Sequence, residues 1–290
     1  MIFCGDSREV LPTLQIKADL IVTSPPYADA RKSHYDSIHP DRYADWLLSF
    51  SDAFWNSLVD DGSLILNIKD KVVSGMRHRF VWDTIESFAK KGWHCIDDYI
   101  WHKTNPMPGR WPNRLRDGWE YCFHLAKTSR PYFNPDNVRK PIGDWVNTRL
   151  ANLSESDLRR HNSENKSGFG RNISKWLGKT TVLPSNVISL PLVGKNKGHP
   201  AVYPVDLPLF FIKLLSRKGH WIIDPFSGSG TTGIAALSAG RKCILIDSYE
   251  NYCELAKKRI SEEVRIIDEE IKQLQLFEKR AKYTVHQDKS

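Results

Sequence analysis

The chain has no run of 18 apolar residues and no charged-then-apolar leader, so a soluble protein of the cytoplasm is the expectation. Cysteine is scarce. The five are scattered, with no CxxC pair and no histidine cluster at ligand spacing. Neither a structural zinc nor a disulfide framework is expected, and the odd count suits a reducing compartment. Internal repeats and low-complexity tracts are also missing, so neither a repeat array nor a biased tract organises the sequence.

What is present is 290 residues, 40% of them hydrophobic, enough for one large domain or a domain with an insertion. The net charge is +8, which points to a polyanionic partner. That charge is concentrated. Residues 130–200 hold 12 Lys and Arg against 5 Asp and Glu, nearly the whole surplus. The same window is rich in Asn, Ser, Gly and Pro and reads as a loop-rich insertion. Aromatic residues (Tyr132, Phe133, Trp145, Phe169, Trp176) lie among the basic ones. This mixture suits a phosphate backbone with splayed bases, or equally a solvated loop with a few packing anchors.

Outside that window, strands and helices alternate. Strand-like runs occur at 2–4, 19–23, 63–68, 95–102, 119–126, 220–224 and 242–247. Tyr43, Trp46, Leu47, Phe50, Phe54 and Leu58 recur at three and four, which predicts one apolar helix face. Further helices are expected over 205–217 and from about 249 to 280. The alternation implies an α/β domain with a mostly parallel sheet, whose ligands bind beyond the carboxyl ends of the strands.

Two strand ends stand out. HWIIDPFSGSGTTG reads as strand, glycine turn and helix start, with Gly228, Gly230 and Gly233 spelling GxGxxG. Such a turn lets backbone approach a ligand and offers free N–H groups, although it also occurs with no ligand at all. Asp247 ends the next strand, 23 residues after Asp224. A nicotinamide dinucleotide fits poorly. Asp224 would repel a pyrophosphate, and only 57 residues follow Gly233, too few for a second nucleotide-binding half. The two acids suit an ammonium group, a sulfonium and a ribose, which together describe S-adenosylmethionine. The second strand end is DLIVTSPPY, where Thr23 gives way to Ser24, Pro25, Pro26 and Tyr27. Alone it would be a proline-stopped strand with a surface tyrosine.

Taken in order, TSPPY (23–27), YIWHKTNPMP (99–108), RLRDGWE (114–120), GHPAVYP (198–204) and DPFSGSGTT (224–232) resemble a DNA amino-methyltransferase of the β group. The likeness covers most of the chain. It implies a Rossmann-like, doubly wound sheet of seven strands in the circularly permuted order of a class I S-adenosylmethionine-dependent methyltransferase. It divides the chain into a catalytic half (1–129), a target-recognition insertion (130–197), a cofactor-binding half (198–275) and a basic tail (276–290). Asp224, Phe226, Gly228 and Gly230, with Ser227, Ser229, Thr231 and Thr23, would shape the cofactor pocket. Asp247 would hold the ribose hydroxyls, Asp6 would lie near the adenine, and His199 and Pro200 would act through backbone. Lys103 and Asn105 would line the base pocket or the cleft, or equally sit in a loop of ordinary packing, with Glu120 ordering that loop; Arg171, Lys175, Lys195 and Lys197 would meet the DNA.

The implied chemistry gives the strand end a purpose. An exocyclic amino group is a poor nucleophile because its lone pair is delocalised into the ring. Hydrogen bonds accepted by the Ser24 hydroxyl and a proline carbonyl would free it, and Tyr27 would stack on a flipped base. Ser-Pro-Pro-Tyr goes with cytosine N4 in this family and Asp-Pro-Pro-Tyr with adenine N6, so cytosine is expected, with adenine N6 as the alternative. Cytosine C5 chemistry is set aside, because none of Cys4, Cys95, Cys122, Cys243 or Cys253 follows a proline. Double-stranded DNA is the expected partner, site-specific and part of a restriction–modification system, with no stable complex with the nuclease, no metal and no membrane.

Overall fold

The structure, a computed structural model, describes residues 1–29, 38–143, 152, 178–193 and 203–287. The chain forms two compact units, Met1–Asn134 together with Asn186–Ser290, and Pro135–Ser185.

The first unit is built on an eight-stranded sheet. Its strands are β1 (Ile2–Cys4), β2 (Ala18–Thr23), β3 (Leu58–Ile68), β6 (His94–Lys103), β7 (Trp119–Ala126), β10 (Val187–Leu190), β11 (Trp221–Asp224) and β12 (Lys242–Asp247). A two-stranded hairpin, β4 (Val72–Val73) and β5 (Met76–Arg77), follows β3. The order across the sheet is β1-β12-β11-β2-β3-β7-β6-β10. Every neighbouring pair is parallel except those of β7, which runs against both β3 and β6. All seven strand-like runs of the sequence are strands. The eighth, β10, comes from the loop-rich stretch 130–197 and pairs along β6 at the sheet edge.

Alternation along the buried strands sends side chains to both faces. Ile21, Leu64, Leu66, Phe123, Ile223, Ile244 and Ile246 share one core with helices α1 (Ser7–Thr13), α2 (Pro40–Leu48), α3 (Ser51–Ser57) and α4 (Phe80–Lys90). The other face carries α5 (Asp206–Leu215), α6 (Thr231–Ser238) and α7 (Glu250–Gln287). There Tyr99 meets Phe211 edge-on at 5.2 Å, and Gly233 lies against Leu245 and Ile260. Helices on both faces make the sheet doubly wound.

The single helix face expected from Tyr43 to Leu58 is divided. Pro40 starts α2, Ser49 turns its hydroxyl back to the Trp46 carbonyl at 2.6 Å, and α3 begins at Ser51. Leu58 then enters β3 and pairs with Ala18. The apolar spacing is real, since Tyr43, Leu47, Phe50, Phe54 and Leu58 are all buried. A straight helix would carry Leu58 past the strand it must join. Burying each such side chain contributes about 1.5–3 kcal/mol, which outweighs the few helical hydrogen bonds lost at the bend.

In the second unit, a 3₁₀ turn at Pro135–Val138 precedes a short ladder between β8 (Lys140–Pro141) and β9 (Thr181–Val182). Among the described residues, no helix is long and apolar enough to cross a membrane.

Candidate active site

Strands β2 and β11 are parallel neighbours at the centre of the sheet, and the layers run outward from them in opposite directions, β12 and β1 one way, β3 the other. A crevice outside their carboxyl ends is where open α/β sheets hold ligands. The two motifs of the sequence end these two strands. The Thr23 hydroxyl donates to Asp224 Oδ1 at 2.7 Å, joining TSPPY to the glycine turn across 201 positions of sequence.

Asp224 is buried and heavily bonded. Its Oδ1 also accepts from the Phe226 N–H at 3.1 Å, and its Oδ2 accepts from the hydroxyls of Thr232 and, at 3.3 Å, Tyr203. Burial pushes its carboxyl up to about 6, against the pull of those four donors. Asp224 is thus the knot of the site rather than a bare anion. Tyr203, within GHPAVYP, was not singled out by sequence reasoning. Its hydroxyl is buried between Asp224 and Thr232, and burial first, then the Asp224 charge, pushes it well up.

The turn itself requires glycine. Gly228 (φ +48°) and Gly230 (φ +80°) are left-handed, and a Cβ on Gly230 would come within 3.0 Å of Ala256 Cβ. Asp247 closes the turn from the next strand. Its Oδ2 accepts the Gly228 N–H at 2.8 Å and its Oδ1 the Tyr249 N–H at 3.0 Å, while burial raises its carboxyl. Arg259 of α7 holds the turn from outside, donating to the Ser229 carbonyl and hydroxyl, both at 2.7 Å, and to the Thr231 hydroxyl at 3.2 Å. The Ser227 hydroxyl is buried and has no partner among the described residues. Phe226 packs edge-on against Phe50 at 5.0 Å and leans on Trp46 at 5.6 Å. Asp6 caps α1 and is paired with Arg8, next to Gly5, whose N–H meets the Asp247 carbonyl at 2.9 Å.

On the other side of the crevice, Ser24 is half-buried and Pro25 buried. The Tyr27 hydroxyl donates to Glu120 Oε2 at 2.6 Å and lies in hydrogen-bonding reach of Ser24. Burial and the Glu120 charge push that phenol far up, so it stays protonated and donating. Glu120 is itself held by Lys103 Nζ at 2.5 Å and by Asn67 Nδ2 at 3.3 Å, and both members of the ion pair are buried. Lys103 is therefore tied through Glu120 to Tyr27. Asn105 is exposed, and its side chain accepts the Leu192 N–H at 2.5 Å, fastening the loop after β6 to the segment after β10. His199, Pro200, Arg171, Lys175, Lys195 and Lys197 lie outside the described residues. No cluster of His, Cys, Asp or Glu among the described residues could hold a metal ion.

The site therefore offers two apposed halves: a glycine turn flanked by acids, and a proline-stiffened loop with a hydroxyl and a ring. Comparison with known proteins points to one family. The family profile described as DNA methylase, of N6/N4 type, matches residues 18–258. The type II methyltransferase M.PvuII of Proteus hauseri is 28% identical over 275 residues, spanning 86% of this chain and 80% of that one. M.SmaI of Serratia marcescens is 28% identical over 294 residues, spanning 89% and 90%. Among solved structures, the PvuII DNA methyltransferase, titled cytosine-N4-specific, shares the fold with a TM-score of 0.65 at 22% identity, covering 90% of each chain. A DNA modification methylase of Thermus thermophilus, titled as putative and complexed with S-adenosyl-L-methionine, aligns with a TM-score of 0.59 at 25% identity, covering 91% and 93%.

Proposed function

Because this chain belongs to the DNA methylase family, we propose that it moves a methyl group from S-adenosylmethionine to the exocyclic N4 of a cytosine extruded from duplex DNA. It does so at a defined sequence, as the modification arm of a restriction–modification system in a bacterial or archaeal cytoplasm. The carrying observation is the Thr23–Asp224 hydrogen bond, which fixes the Ser24–Tyr27 loop beside the glycine turn.

The turn suits the cofactor. The unpartnered Ser227 hydroxyl can meet its ammonium or carboxylate, and Asp247, with lone pairs left after two backbone bonds, can accept from ribose hydroxyls. Glycine at 228 and 230 lets the backbone take the left-handed turn, and at 230 lets it lie close against Ala256. Bound there, S-adenosylmethionine supplies an electrophilic methyl carbon on a sulfonium.

The chain supplies the rest. The Tyr27 ring, oriented by Glu120, receives the extruded base; stacking of about 1–3 kcal/mol offsets much of the cost of flipping. The Ser24 hydroxyl and a carbonyl of the Pro25–Pro26 pair accept the two N–H groups of N4 and favour a tetrahedral nitrogen. The freed lone pair bonds to the methyl carbon, the electrons of the broken carbon–sulfur bond stay on sulfur, and the cationic nitrogen sheds a proton to water. No strong base is needed. Residues 130–197, with Arg171, Lys175, Lys195 and Lys197, supply target recognition and phosphate contacts.

Nucleosides from cells expressing the protein, weighed by mass spectrometry, test this reading. N4-methylcytosine is expected; N6-methyladenine without it overturns the choice of base. Sequencing the methylome of the same cells gives the recognised site.

A further inference from the structure

Two elements rise from the catalytic edge beside Glu120. One is the hairpin β4–β5 after β3, turning through Ser74 (φ +48°) and Gly75 (φ +81°). The other is the loop 104–118 that links β6 to β7. β6 runs in the same sense as β2 and β3, so its end at Lys103 and the start of β7 at Glu120 both lie on the edge that carries Thr23 and Asp224. The loop thus springs from both members of the buried Lys103–Glu120 pair.

Hairpin and loop are fastened together. Asn113 Nδ2 donates to the Gly75 carbonyl at 2.8 Å, and Arg77 pairs with Asp117 at 2.5 Å. Asp117 gathers two further cations, Lys69 at 3.0 Å and Arg114 at 3.3 Å. A shallow surface dimple beside this cluster reaches Glu120 and is lined also by Lys69, Asp70, Arg77, Asp117 and Trp119. Arg110 and Arg116 stand exposed on the same loop. Among these arginines the apolar side chains are turned outward: Leu115 is 88% exposed, Met76 72% and Met107 71%. Single exposed apolar residues are ordinary. Three of them on one cation-rich hairpin and loop, next to the Lys103–Glu120 pair, are not.

We propose that this rim, hairpin 72–77 with loop 104–118, docks on the duplex flanking the target, and that Leu115 enters the stack where the extruded base has left. The proposal rests on the methyltransferase reading and names a contact surface outside the 130–197 segment. Charge complementarity favours DNA as the occupant: Asp117 and Asp70 face Lys69, Arg77 and Arg114, and the exposed Arg110 and Arg116 leave a surplus that phosphates neutralise. An apolar wedge between base steps holds the duplex open once a base has swung out. Leu115 lies five positions before Glu120, so an extended chain keeps it within about 17 Å of the pocket wall.

Two measurements test it. In the first, binding to a fluorescein-labelled 30-bp duplex is followed as salt rises. Arg110→Ala/Arg116→Ala is expected to flatten the slope of log K against log salt by about 1–2; an unchanged slope overturns docking at the rim. In the second, methylation is compared on two duplexes carrying the mapped site, one matched and one with an abasic position opposite the target. Leu115→Ala is expected to slow transfer about ten-fold on the matched duplex and to regain most of that loss on the abasic one, where flipping is cheaper. Equal loss on both, or none on either, overturns the wedge. Calorimetric titration with S-adenosylmethionine should be unaltered in all variants, which separates these effects from misfolding. If the wild-type protein methylates no DNA, the parent reading fails; if it does and the variants match it, only the rim fails.

Discussion

Replacing Lys103 by Met isolates the buried ion pair that orients the Tyr27 ring. The two side chains fit at nearly equal length, so packing changes little while a charge disappears. At 2.5 Å and an effective dielectric of about 20, the attraction is roughly 7 kcal/mol before desolvation is counted. After desolvation, stripping one partner from a buried pair costs about 3–5 kcal/mol, because the other charge is left uncompensated. Glu120 would keep its bonds to Tyr27 and Asn67, which places Lys103→Met near 3 kcal/mol. Glu120→Gln strands the ammonium instead and should cost about the same. The double variant Lys103→Met/Glu120→Gln buries no net charge and should cost no more than either single change. Urea unfolding followed by circular dichroism measures all three, and kcat with cofactor Kd shows where function suffers. We expect kcat to fall while Kd for S-adenosylmethionine changes less than about two-fold, since the pair touches only the base side of the crevice. Additive single effects, within about 0.5 kcal/mol, would refute the coupling and with it the account of how the ring is held.

Tyr27→Phe keeps the stacking face and loses one hydrogen bond, so methyl transfer should drop less than about ten-fold, against one to two orders of magnitude for Tyr27→Ala; equal losses in single-turnover assays would remove the stacking role. Ser24→Ala should lower kcat by about 10²–10³ while sparing cofactor binding, and a variant of normal kcat would discredit that acceptor. Gly230→Ala forces a side chain into a left-handed position against Ala256, so calorimetry should show cofactor affinity at least about ten-fold weaker. Asp224 has its carboxyl raised from 3.8 to about 6, so between those values the folded protein holds a proton that the unfolded chain releases. Stability from this group therefore falls as pH rises from about 4 to 6, by roughly 3 kcal/mol, and Asp224→Asn should abolish that decline between urea midpoints measured at pH 4.5 and 7.

Six of the seven strands were legible within a residue, because each carries apolar residues bounded by turn chemistry, whereas β3 starts at Leu58, five residues before the run read at 63–68. The strand VISL at 187–190 was not legible, since four residues between Pro184 and Pro191, at the end of a loop-rich window, carry too little pattern. The single helix face over 43–58 was a correct reading of burial and a wrong one of geometry: spacing reports which side chains go inward, and the bend at Ser49 comes from where β3 must begin. The motif residues were visible as strand ends, yet their partners were seen only in part. Tyr99, Trp101 and Lys103 alternate inward on β6, as do Glu120, Cys122 and His124 on β7. A lysine and a glutamate on the apolar faces of adjacent strands are a pattern that predicts a buried pair. Reading each strand for its inward polar residue would have joined Lys103 to Glu120 and both to Tyr27. Tyr203 offered no such pattern, as nothing near it repeats.

The reversed direction of β7 has a modular outcome. The loop 104–118 enters and leaves the sheet at one spot, where the Lys103 N–H meets the Gly118 carbonyl at 2.7 Å and the Lys103 and Glu120 side chains clasp beneath it. Everything above that clasp can lengthen, shorten or be exchanged while the strands below keep their register. Duplex contacts can in this way diverge between relatives as an interchangeable part, with the methyl-transfer centre left untouched.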